Sequence, residues 1–565
     1  MKTPVVDRDD TGSRPDQPRG QADRLPERVA VPGFCLITSS AYVEQELSAE
    51  FGQLPPSFLP LGVSRLYESQ LDRLADAGPI FLTLPESFQP PPHDLARLAE
   101  RGVNLVLVPD GLRLGEAVTY ALNVIDAPPG PLRLLHGDTL VDGVPAAMAD
   151  IMAISLNGDD YSWAEVELDD ERVTRLDVSH AGSAAGGARP VACGYFSFSD
   201  PASLVRAITR ARGDFVQGLN LYAGEHAVAG VRVSDWLDFG HIQTYFRSRR
   251  SITTQRSFNM LSIDPLVVRK ASTDHAKLRA EAAWFATLPP SVQVFAARLI
   301  EHGQADGVPF YSTEYQYAPT LAELFVFGGI GRPTWRRIMT SCAQFLAACG
   351  AVRGVGSGDE AMRILCVDKT AARLERFAAD SGFDITRPTR YQGRPLPSLL
   401  TIAQTTAAGV GLASGRRATI MHGDFCFSNI LYNSRAGRIV TIDPRGLAGD
   451  QTPSIFGDLR YDLAKLAHSI VGRYDHIVAG RYSFARNDSH DFSIDFEATA
   501  QQVWLQDVLG DLAVDGVGGD SGQIRAVTIL LFLSMLPLHA ERPDRQLAFV
   551  ANALRLFLRM EGGPA

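Results

Sequence analysis

The sequence predicts an α/β fold for the first part of the chain and a mainly helical α+β fold for the second part. Between residues 30 and 250, short apolar runs alternate with amphipathic stretches, which is the pattern of βαβ units. From residue 333 onward the apolar residues recur at helical spacing, apart from a strand-rich segment at 418–446. The 565 residues are enough for roughly two to four domains.

Four apolar runs, each bounded by Gly, Pro, Asp or Ser, predict the strands of the first part: residues 34–38, 80–84, 103–108 and 132–135. Helical patterns at 66–77 and 95–100 lie between them, so the strands should be parallel and covered on both faces. Residues 160–180 form two alternating runs instead, which predict an antiparallel hairpin added to the sheet. A Gly-, Ala- and Ser-rich stretch at 182–188 indicates a loop.

The composition changes near residue 250. The segment Arg247–Arg256 is polar and basic and is predicted to be a linker. Residues 260–320 then indicate strands with one helix, and residues 333–563 indicate helices. We therefore divide the chain into four segments: a disordered tail at 1–28, an α/β domain at 29–250, and a second domain with a small part at 251–332 and a helical part at 333–565.

Charge and composition narrow the class of protein. The formal net charge is −10 and the basic residues form no stripe, which argues against nucleic-acid binding. The first residues lack the apolar core of a signal peptide, and the longest apolar run, Ala526–Leu538, is too short to span a bilayer and predicts a buried helix. The six cysteines include no C-x-x-C pair, so neither a disulfide framework nor a zinc site is indicated. We expect a cytoplasmic protein without membrane insertion.

A loop and a hairpin near residue 430 carry residue types suited to phosphoryl transfer. Asp424 and Asn429 lie five residues apart in the segment A-T-I-M-H-G-D-F-C-F-S-N-I-L-Y at 418–432, and Asp443 ends the next apolar strand. Transfer of a phosphoryl group to a hydroxyl needs a carboxylate beside the acceptor and oxygen ligands for Mg²⁺ on the triphosphate. This spacing lets one acid face the acceptor while the amide and the second acid face the metal ion. The alternative is a plain hairpin with polar turn residues.

This segment resembles the signature of the aminoglycoside phosphotransferase and choline kinase family, H-G-D-x-x-x-x-N-I-L followed by an apolar I-D. The resemblance implies a two-lobed, protein-kinase-like phosphotransferase, with residues 251–332 as the N-lobe and residues 333–565 as the C-lobe. It also implies ATP as the phosphate donor and a small polar molecule as the acceptor. By the same resemblance Asp424 is the catalytic base, and Asn429 and Asp443 are the metal ligands.

Such a site also needs a cation on the nucleotide phosphates and an acid that orients the cation. The chain contains five lysines against 49 arginines, and one of the lysines, Lys270, ends the apolar strand predicted at 265–270. Glu281 follows 11 residues later in the amphipathic stretch 275–286, so a strand lysine and a helix acid come in the order that the family requires. Arg269, next to Lys270, is the alternative cation.

Two further segments belong to the kinase-like pattern. Glu314 and Gln316 lie in the predicted connection between the lobes, where backbone groups would meet adenine. Asp462, on a predicted helix that backs the site, is expected to be structural and to lie near an arginine or a lysine. The sequence has no glycine-rich loop before Lys270, since its glycine-rich segments come later and are predicted to be turns.

The first part of the chain carries a second acidic pattern. Residues 136–138 repeat the H-G-D triplet, but Gly143 stands where a second kinase motif needs Asn. Three further segments resemble, in order, stretches of the sugar-phosphate nucleotidyltransferase family: L-P-L-G at 59–62, L-G-E-A at 114–117 and W-L-D-F-G at 236–240. This resemblance implies a Rossmann-like α/β nucleotidyltransferase domain over residues 29–250.

The same resemblance assigns roles to individual residues. Asp138 and Asp238 are implied as an acidic pair that holds one Mg²⁺ on the nucleotide phosphates. Gly115 and Glu116 belong to the stretch that binds the base in this family. Both carboxylates that the family uses for the metal ion are present, which favours an active domain.

The chain lacks two features of the nucleotidyltransferase family. No glycine-rich loop follows the first strand, and no lysine occurs where the family has a P-K pair. The hydroxyls of Thr38 and Ser39 are the candidates to bind phosphate instead, and Arg65 or Arg133 could replace the cation. The alternative is a domain that has kept the fold and lost catalysis.

Together these patterns predict a bifunctional enzyme. The kinase-like domain would phosphorylate a hydroxyl of a sugar, polyol or amino alcohol with ATP, and the other domain would couple that phosphate to an NMP from CTP or GTP. The product would be an NDP-activated precursor for surface glycan synthesis. Two alternatives stay open: a small-molecule kinase whose inactive nucleotidyltransferase-fold domain serves binding or assembly, and a nucleotide-sensing scaffold. The sequence identifies neither the acceptor nor the oligomeric state, and a homo-oligomer stays open.

Overall fold

A computed structural model of the chain describes residues 33–562, except 75–77, 146–147, 158–162, 179–187, 234, 253–258, 414, 449–450, 489 and 498. The predicted tail at 1–28 lies outside the described residues, as do most of the predicted loop at 182–188 and the end of the predicted linker. We call residues 33–252 the N-terminal region and residues 259–562 the C-terminal region.

The N-terminal region is a mixed α/β structure. Its strands are β1 (Phe34–Thr38), β2 (Pro60–Leu61), β3 (Ser64–Arg65), β4 (Ile80–Pro85), β5 (Val103–Val108), β6 (Leu132–His136), β7 (Thr139–Asp142), β8 (Ile151–Asn157), β9 (Ala164–Asp169), β10 (Arg172–Val178), β11 (Arg189–Phe198), β12 (Ala229–Arg232) and β13 (Asp235–Asp238). Its helices are α1 (Gln45–Phe51), α2 (Leu66–Arg73), α3 (Pro92–Glu100), α4 (Leu114–Val124), α5 (Pro201–Arg210), α6 (Phe215–Glu225) and α7 (Ile242–Ile252).

The predicted parallel strands lie side by side at one end of a large sheet, whose order is β5-β4-β1-β6-β11-β8-β12-β10-β9. β1 pairs in parallel with β4 and β6, and β4 pairs in parallel with β5, as the sequence predicts. The predicted hairpin is β9 and β10, which pair antiparallel. Successive residues of β1 alternate between two apolar cores, with Leu36 in one and Cys35 and Ile37 in the other, so the sheet is covered on both faces.

The C-terminal region begins with the strands β14 (Asn259–Ile263), β15 (Val267–Ser272), β16 (Leu299–Ala305) and β17 (Val308–Glu314), and with the helices α8 (His275–Thr287) and α9 (Pro290–Gln293). The strands form an antiparallel sheet in the order β14-β15-β17-β16, and α8 packs against β17. The predicted strands and helix are therefore present, with the short α9 in addition.

The rest of the C-terminal region is mainly helical, as predicted. Its helices are α10 (Leu321–Val326), α11 (Arg332–Gly350), α12 (Gly358–Met362), α13 (Lys369–Ser381), α14 (Leu399–Ala408), α15 (Arg460–Ile470), α16 (Tyr474–Val478), α17 (Ala500–Gly510), α18 (Gly522–Met535) and α19 (Pro543–Met560). Its strands are β18 (Arg353–Ser357), β19 (Pro388–Tyr391), β20 (Arg394–Ser398), β21 (Arg417–Ile420), β22 (Ile430–Asn433), β23 (Arg438–Thr441), β24 (Phe456–Gly457), β25 (Ser483–Asp488), β26 (Asp491–Asp495), β27 (Ala513–Val514) and β28 (Val517–Gly518).

Two details of the sequence prediction need correction. The segment at 418–446 is not the only strand-rich part after residue 333, because β19, β20, β25 and β26 form a second small sheet whose polar strands lack the apolar runs used for prediction. The predicted linker begins inside a helix, since α7 extends to Ile252. Tyr245 and Phe246 are buried on α7, and Arg249 on the same helix pairs with Glu323 at 2.8 Å. The contacts of α7 with both the N-terminal and the C-terminal region therefore stabilise the helical conformation of this polar stretch.

The predicted buried helix is confirmed. The stretch Gly522–His539 is long and apolar enough to cross a membrane by length and composition, although 72% of it is buried inside the protein. It includes α18, which packs against α15 and α19 as a core helix.

A buried ion cluster joins the two regions. Asp94 of the N-terminal region pairs with Arg65, also N-terminal, at 2.9 Å and with Arg481 of the C-terminal region. Arg65 also donates a hydrogen bond of 3.1 Å to the carbonyl oxygen of Phe327 in the C-terminal region. Burial alone would raise the pKa of Asp94, but its two arginine partners lower it. The cluster therefore keeps Asp94 ionised and holds the regions together.

Candidate active sites

Lys270 lies at the centre of the small sheet, where β15 places its side chain toward α8. Its Nζ atom is 2.8 Å from Oε2 of Glu281 and 3.1 Å from Oδ1 of Asp443. Burial would lower the pKa of Lys270, but the two carboxylates raise it, so the ammonium is charged. Tyr311 on β17 donates a 3.1 Å hydrogen bond to the same oxygen of Glu281. The structure thus brings together the predicted lysine, the predicted helix acid and a predicted metal ligand.

Arg269, the alternative cation, takes another position. Its guanidinium lies 3.5 Å from the centre of the Phe310 ring and pairs with Glu301 at 3.5 Å. Neighbouring residues of a strand point to opposite faces of the sheet, which separates Arg269 from Lys270. The geometry therefore favours Lys270.

A cavity of about 200 Å³ lies beside Lys270. Lys270 and Asp443 line one part of it, and the predicted connecting residues Glu314 and Gln316 line another. The remaining lining residues include the apolar side chains of Leu261, Ile263, Val268, Phe285 and Leu431. An apolar slot with a cation and a carboxylate at one end suits a nucleotide, whose base is flat and whose phosphates are charged.

Asp424 lies in the loop between β21 and β22 and is held on two sides. Its Oδ1 atom is 2.7 Å from Nζ of Lys465, and its Oδ2 atom accepts a 2.9 Å hydrogen bond from Nδ2 of Asn429. Burial would raise the pKa of Asp424, but the Lys465 ammonium lowers it well below the usual range. The side chain of Asp424 is 41% exposed, so the carboxylate is ionised, oriented and within reach of a ligand.

Asn429 and Asp443 are neighbours, as two ligands of one metal ion must be. Ile442 N, next to Asp443, donates a 3.0 Å hydrogen bond to the carbonyl oxygen of Asn429. Because the Asn429 amide nitrogen is used by Asp424, the amide oxygen is the atom that this side chain can offer a cation. Asp443 has a φ of 52°, in the left-handed region that Asp tolerates better than most residues. An amide oxygen and a carboxylate are ligands that Mg²⁺ prefers, so these residues fit the ion.

The loop before Asp424 is fixed by a buried histidine. Burial lowers the pKa of His422 to about 4, so its ring is neutral. Its Nδ1 atom accepts a 3.2 Å hydrogen bond from Asp424 N, and its Nε2 atom lies 3.0 Å from the Ile442 carbonyl oxygen. This histidine therefore connects the Asp424 loop to the strand that leads to Asp443.

The predicted structural role of Asp462 agrees with its contacts, which include backbone amides that the sequence does not predict. Asp462 is fully buried on α15 and accepts hydrogen bonds from the backbone N–H groups of His422 and Gly423, at 2.7 and 2.8 Å. Burial raises the pKa of Asp462 to about 7 in spite of these bonds. The charge of Lys465 also acts on Asp462, as the expectation of a nearby arginine or lysine requires, but the hydrogen-bond partners are backbone amides, which the sequence pattern does not reveal.

The acidic pair of the N-terminal region also comes together. β7 and β13 pair antiparallel, with Asp238 opposite Thr139, so Asp238 lies beside Asp138. A Cβ atom built on Gly240 would lie 2.8 Å from Oδ2 of Asp138 and 3.4 Å from Oδ1 of Asp238, which shows that both carboxylates approach one point. Burial, and then the charge of Asp238, raise the pKa of Asp138 to about 6.

This pair fits a divalent cation. The buried Oδ2 atom of Asp238 has no hydrogen-bond partner among the described residues, and His241 Nδ1 lies 3.7 Å from it. Two carboxylates that repel each other are stabilised by a cation between them. Within the described residues no group of three or more His, Cys, Asp or Glu side chains could hold a metal ion, so phosphate oxygens and water would complete the coordination of Mg²⁺. When bound, the ion would neutralise charge on those phosphates.

Asp138 and Asp238 line a cavity of about 430 Å³ at the carboxyl end of β6. Gly115 at the start of α4 also lines it, as the sequence predicts for a base-binding residue. A Cβ atom on Gly115 would lie 2.5 Å from the Gly213 carbonyl oxygen, so only glycine allows this close approach. Open α/β sheets bind their ligands at the carboxyl ends of the strands, which is where this cavity lies.

Three predicted nucleotide-binding side chains lie elsewhere. Thr38 and Ser39 are 8% and 1% exposed, and their hydroxyls serve the fold: Ser39 Oγ accepts a 3.0 Å hydrogen bond from Ser57 N. Glu116 uses its carboxylate to cap α4, accepting a 2.9 Å hydrogen bond from Arg113 N. None of the three lines the cavity around the acidic pair. The structure thus uses these three side chains in the fold and does not place them in the lining of that cavity.

The alternative cations of the N-terminal region are also not at the cavity. Arg65 belongs to the buried ion cluster with Asp94, and Arg133 is absent from the cavity lining. Arg113 does line the cavity, and sequence reasoning missed it. In the C-terminal region it missed Lys465, although the scarcity of lysine could have singled that residue out.

The chain is similar to solved structures, but no protein-family model and no curated protein matches it. HddC from Yersinia pseudotuberculosis is 14% identical with a TM-score of 0.30, and the match covers 39% of this chain and 100% of that chain. The apo form of a thermostable mutant of aminoglycoside phosphotransferase APH(4)-Ia is 12% identical with a TM-score of 0.35, covering 55% of this chain and 94% of that chain. The 2-C-methyl-D-erythritol 4-phosphate cytidylyltransferase from Thermus thermophilus is 18% identical with a TM-score of 0.27, covering 39% of this chain and 98% of that chain. Structures of both kinds of enzyme that the motifs resemble are thus among the matches.

Proposed function

We propose that the chain is a bifunctional enzyme, a Rossmann-like nucleotidyltransferase domain followed by a two-lobed, kinase-like phosphotransferase domain. The C-terminal region phosphorylates a hydroxyl of a small polar acceptor with ATP. The N-terminal region couples that phosphate to an NMP from CTP or GTP and releases pyrophosphate. The product is an NDP-activated sugar, polyol or amino alcohol, a precursor for surface glycan synthesis. The proposal includes a cytoplasmic location, where nucleotides are available, and leaves the oligomeric state open.

The kinase activity rests on one observation, the ion pairs that join Lys270, Glu281 and Asp443 within reach of the Asp424 loop. Lys270 would hold the nucleotide phosphates, and Asp443 with Asn429 would hold Mg²⁺. The acceptor hydroxyl would give its proton to Asp424 while its oxygen bonds to the γ-phosphorus. The bond from that phosphorus to the bridging oxygen breaks at the same time, and ADP leaves.

The nucleotidyltransferase activity rests on the acidic pair Asp138 and Asp238 at the carboxyl edge of the sheet. Burial and the charge of Asp238 raise the pKa of the half-buried Asp138, and such perturbed groups cluster at functional sites. The phosphorylated acceptor would attack the α-phosphorus of the NTP through a phosphate oxygen, and pyrophosphate would leave.

The second candidate is a small-molecule kinase with an inactive N-terminal region used for binding or assembly. Two observations favour it: the buried hydroxyls of Thr38 and Ser39, and the ion cluster in which Asp94 and Arg65 serve the contact with the C-terminal region.

One experiment separates the two candidates. The full chain is given Mg²⁺, ATP and a panel of sugars, polyols and amino alcohols, and ADP is measured. Each phosphorylated product is then supplied with CTP or GTP, and pyrophosphate is measured. Release of both ADP and pyrophosphate supports the bifunctional enzyme, whereas ADP alone supports the kinase. Absence of both would contradict both candidates. Asp424→Asn should remove only ADP formation, which controls for contaminating enzymes.

A further inference from the structure

Helix α7 lies between the two candidate active sites. Tyr245 on this helix donates a 2.5 Å hydrogen bond to the carbonyl oxygen of Pro60. Ser248 donates a 2.6 Å hydrogen bond to the carbonyl oxygen of Asp238, a member of the acidic pair. Both bonds attach the helix to the N-terminal region. The residue after Ser248 is Arg249, and its side chain contacts the C-terminal region instead.

Arg249 contacts the segment that leads from β17 into α10, residues 314–320, which we call the connecting segment. Its guanidinium donates a 3.3 Å hydrogen bond to the Ala318 carbonyl oxygen and pairs with Glu323 on α10 at 2.8 Å. Glu323 in turn accepts hydrogen bonds of 2.9 and 3.0 Å from the backbone nitrogen and the hydroxyl of Thr320. One guanidinium therefore holds the end of the connecting segment against the start of α10.

Arg249 also lines the cavity beside Lys270. Lys270 and Asp443 line the part that would hold the phosphates and the metal ion, and Gln316 and Ala318 of the connecting segment line the cavity together with Arg249. The other described lining residues all belong to the C-terminal region. The nucleotide cavity of one region thus includes a side chain from the other region.

Apolar packing supports the same junction. Phe246, one helical turn before Arg249, is buried, and its ring lies edge-to-face with that of Tyr317 in the connecting segment at 6.1 Å between ring centres. The apolar core that contains Phe246 also contains Leu321 at the start of α10. Helix α7 is therefore held against the connecting segment by rings as well as by polar bonds.

We propose, on the basis of the kinase function above, that the N-terminal region completes the nucleotide site of the kinase, with Arg249 as the residue that positions the connecting segment for the base of ATP. Backbone groups of this segment can bind a base only where their positions are fixed, because hydrogen bonds weaken steeply with distance and angle. The planar guanidinium of Arg249 fixes Ala318 and Glu323 at once, which a single ammonium does less well. The kinase reaction thus depends on a residue from outside the kinase-like region.

The test measures the affinity of full-length variants for ADP with Mg²⁺ by isothermal titration calorimetry, which needs no acceptor. Arg249→Met should raise the Kd for ADP about tenfold, the lower end of what a hydrogen bond to a charged group contributes. Arg247→Gln is the matched control, because Arg247 is exposed on the same helix and is not among the residues that line the cavity. Its Kd for ADP should equal that of the wild type.

A double variant separates positioning from stability. Arg249→Met leaves the Glu323 carboxylate, which is 3% exposed, without its guanidinium partner, so the melting temperature should fall. In Arg249→Met/Glu323→Gln the buried charge is gone, and glutamine can still cap the helix at Thr320. The double variant should therefore recover the melting temperature of the wild type while its ADP binding stays weak.

Kinetics provide a second measurement, with any acceptor that the panel above identifies. Arg249→Met should raise the KM for ATP about tenfold and leave kcat and the KM for the acceptor within a few-fold, because Asp424 and the metal ligands keep their contacts. A general loss of structure would lower kcat as well.

Three results would overturn the proposal. Equal ADP affinity of wild type and Arg249→Met would show that Arg249 does not act on the nucleotide site. Recovery of ADP affinity together with the melting temperature in the double variant would reduce the contact to one that only stabilises the fold. An equal loss of affinity in Arg247→Gln would reveal a general effect of changes in α7. If the wild type itself binds no ADP, the kinase function is contradicted, and this proposal with it.

Discussion

Replacing Lys465 with methionine should shift the acidic limb of the pH–rate profile of the kinase reaction upward. In the wild type, the ammonium of Lys465 lowers the pKa of Asp424 although burial would raise it. Asp424 therefore stays ionised well below neutral pH. In the variant the lowering partner is gone and burial remains, so the pKa rises. Protonation then removes activity as the pH falls.

The size of the shift follows from the 2.7 Å distance between Lys465 Nζ and Asp424 Oδ1. An opposite charge this close usually lowers a carboxyl pKa by about 1–3 units. Because the Asp424 side chain is 41% exposed, solvent screens part of the attraction, and the hydrogen bond from Asn429 remains in the variant. We therefore expect the acidic limb to rise by about 2 pH units rather than by more.

The measurement is kcat/KM for the acceptor from about pH 3 to about pH 8, with ADP release as the readout, because this ratio reports ionisations of the free enzyme. Lys465→Arg keeps the charge and serves as the control, so its profile should resemble that of the wild type. An acidic limb that stays in place in Lys465→Met would show that this ion pair does not set the ionisation of Asp424.

Three further variants test other parts of the molecule. Lys270→Ala should raise the KM for ATP as well as lower kcat, because its ammonium would touch the phosphates in both the bound and the transition state; steady-state kinetics with varied ATP measure both. Asp138→Asn should stop pyrophosphate release and leave ADP release within a few-fold. It should also raise the unfolding free energy at about pH 8 by on the order of 2 kcal/mol. The reason is that the variant removes a carboxyl whose pKa in the folded protein is about 6 and whose ionisation opposes folding above that pH. Arg481→Met should lower the unfolding free energy by about 3 kcal/mol in urea denaturation, because it leaves the buried Asp94 with one arginine.

The sequence predicts the parts of the fold that depend on local pattern. The strands around β1 are apolar on both faces, and continuous apolar strands of this kind are typical of a parallel sheet that is covered on both faces. The spacing of Asp424, Asn429 and Asp443 likewise reflects one loop and one hairpin, so the structure keeps these three residues together.

The errors arise where a side chain can serve either the ligand or the fold. Thr38 and Ser39 end a strand, and their spacing is the same whether their hydroxyls face a phosphate or the backbone of a neighbouring loop. Glu116 has the position of a base-binding residue and also the position of a helix cap, three residues after Arg113. Lys465 was missed because its partner Asp424 lies 41 residues away in the sequence, and only the packing of α15 brings the two together.

The buried ion cluster between the regions bears on how the gene can change. Asp94 lies in the N-terminal region, and one of its two arginine partners, Arg481, lies in the C-terminal region. A gene that encoded the N-terminal region alone would leave Asp94 with Arg65 as its arginine partner and without Arg481, and a charge that loses a partner is less stable where it is buried. Fission of the gene into two would therefore weaken each product unless the two regions associate again as separate chains or these positions change.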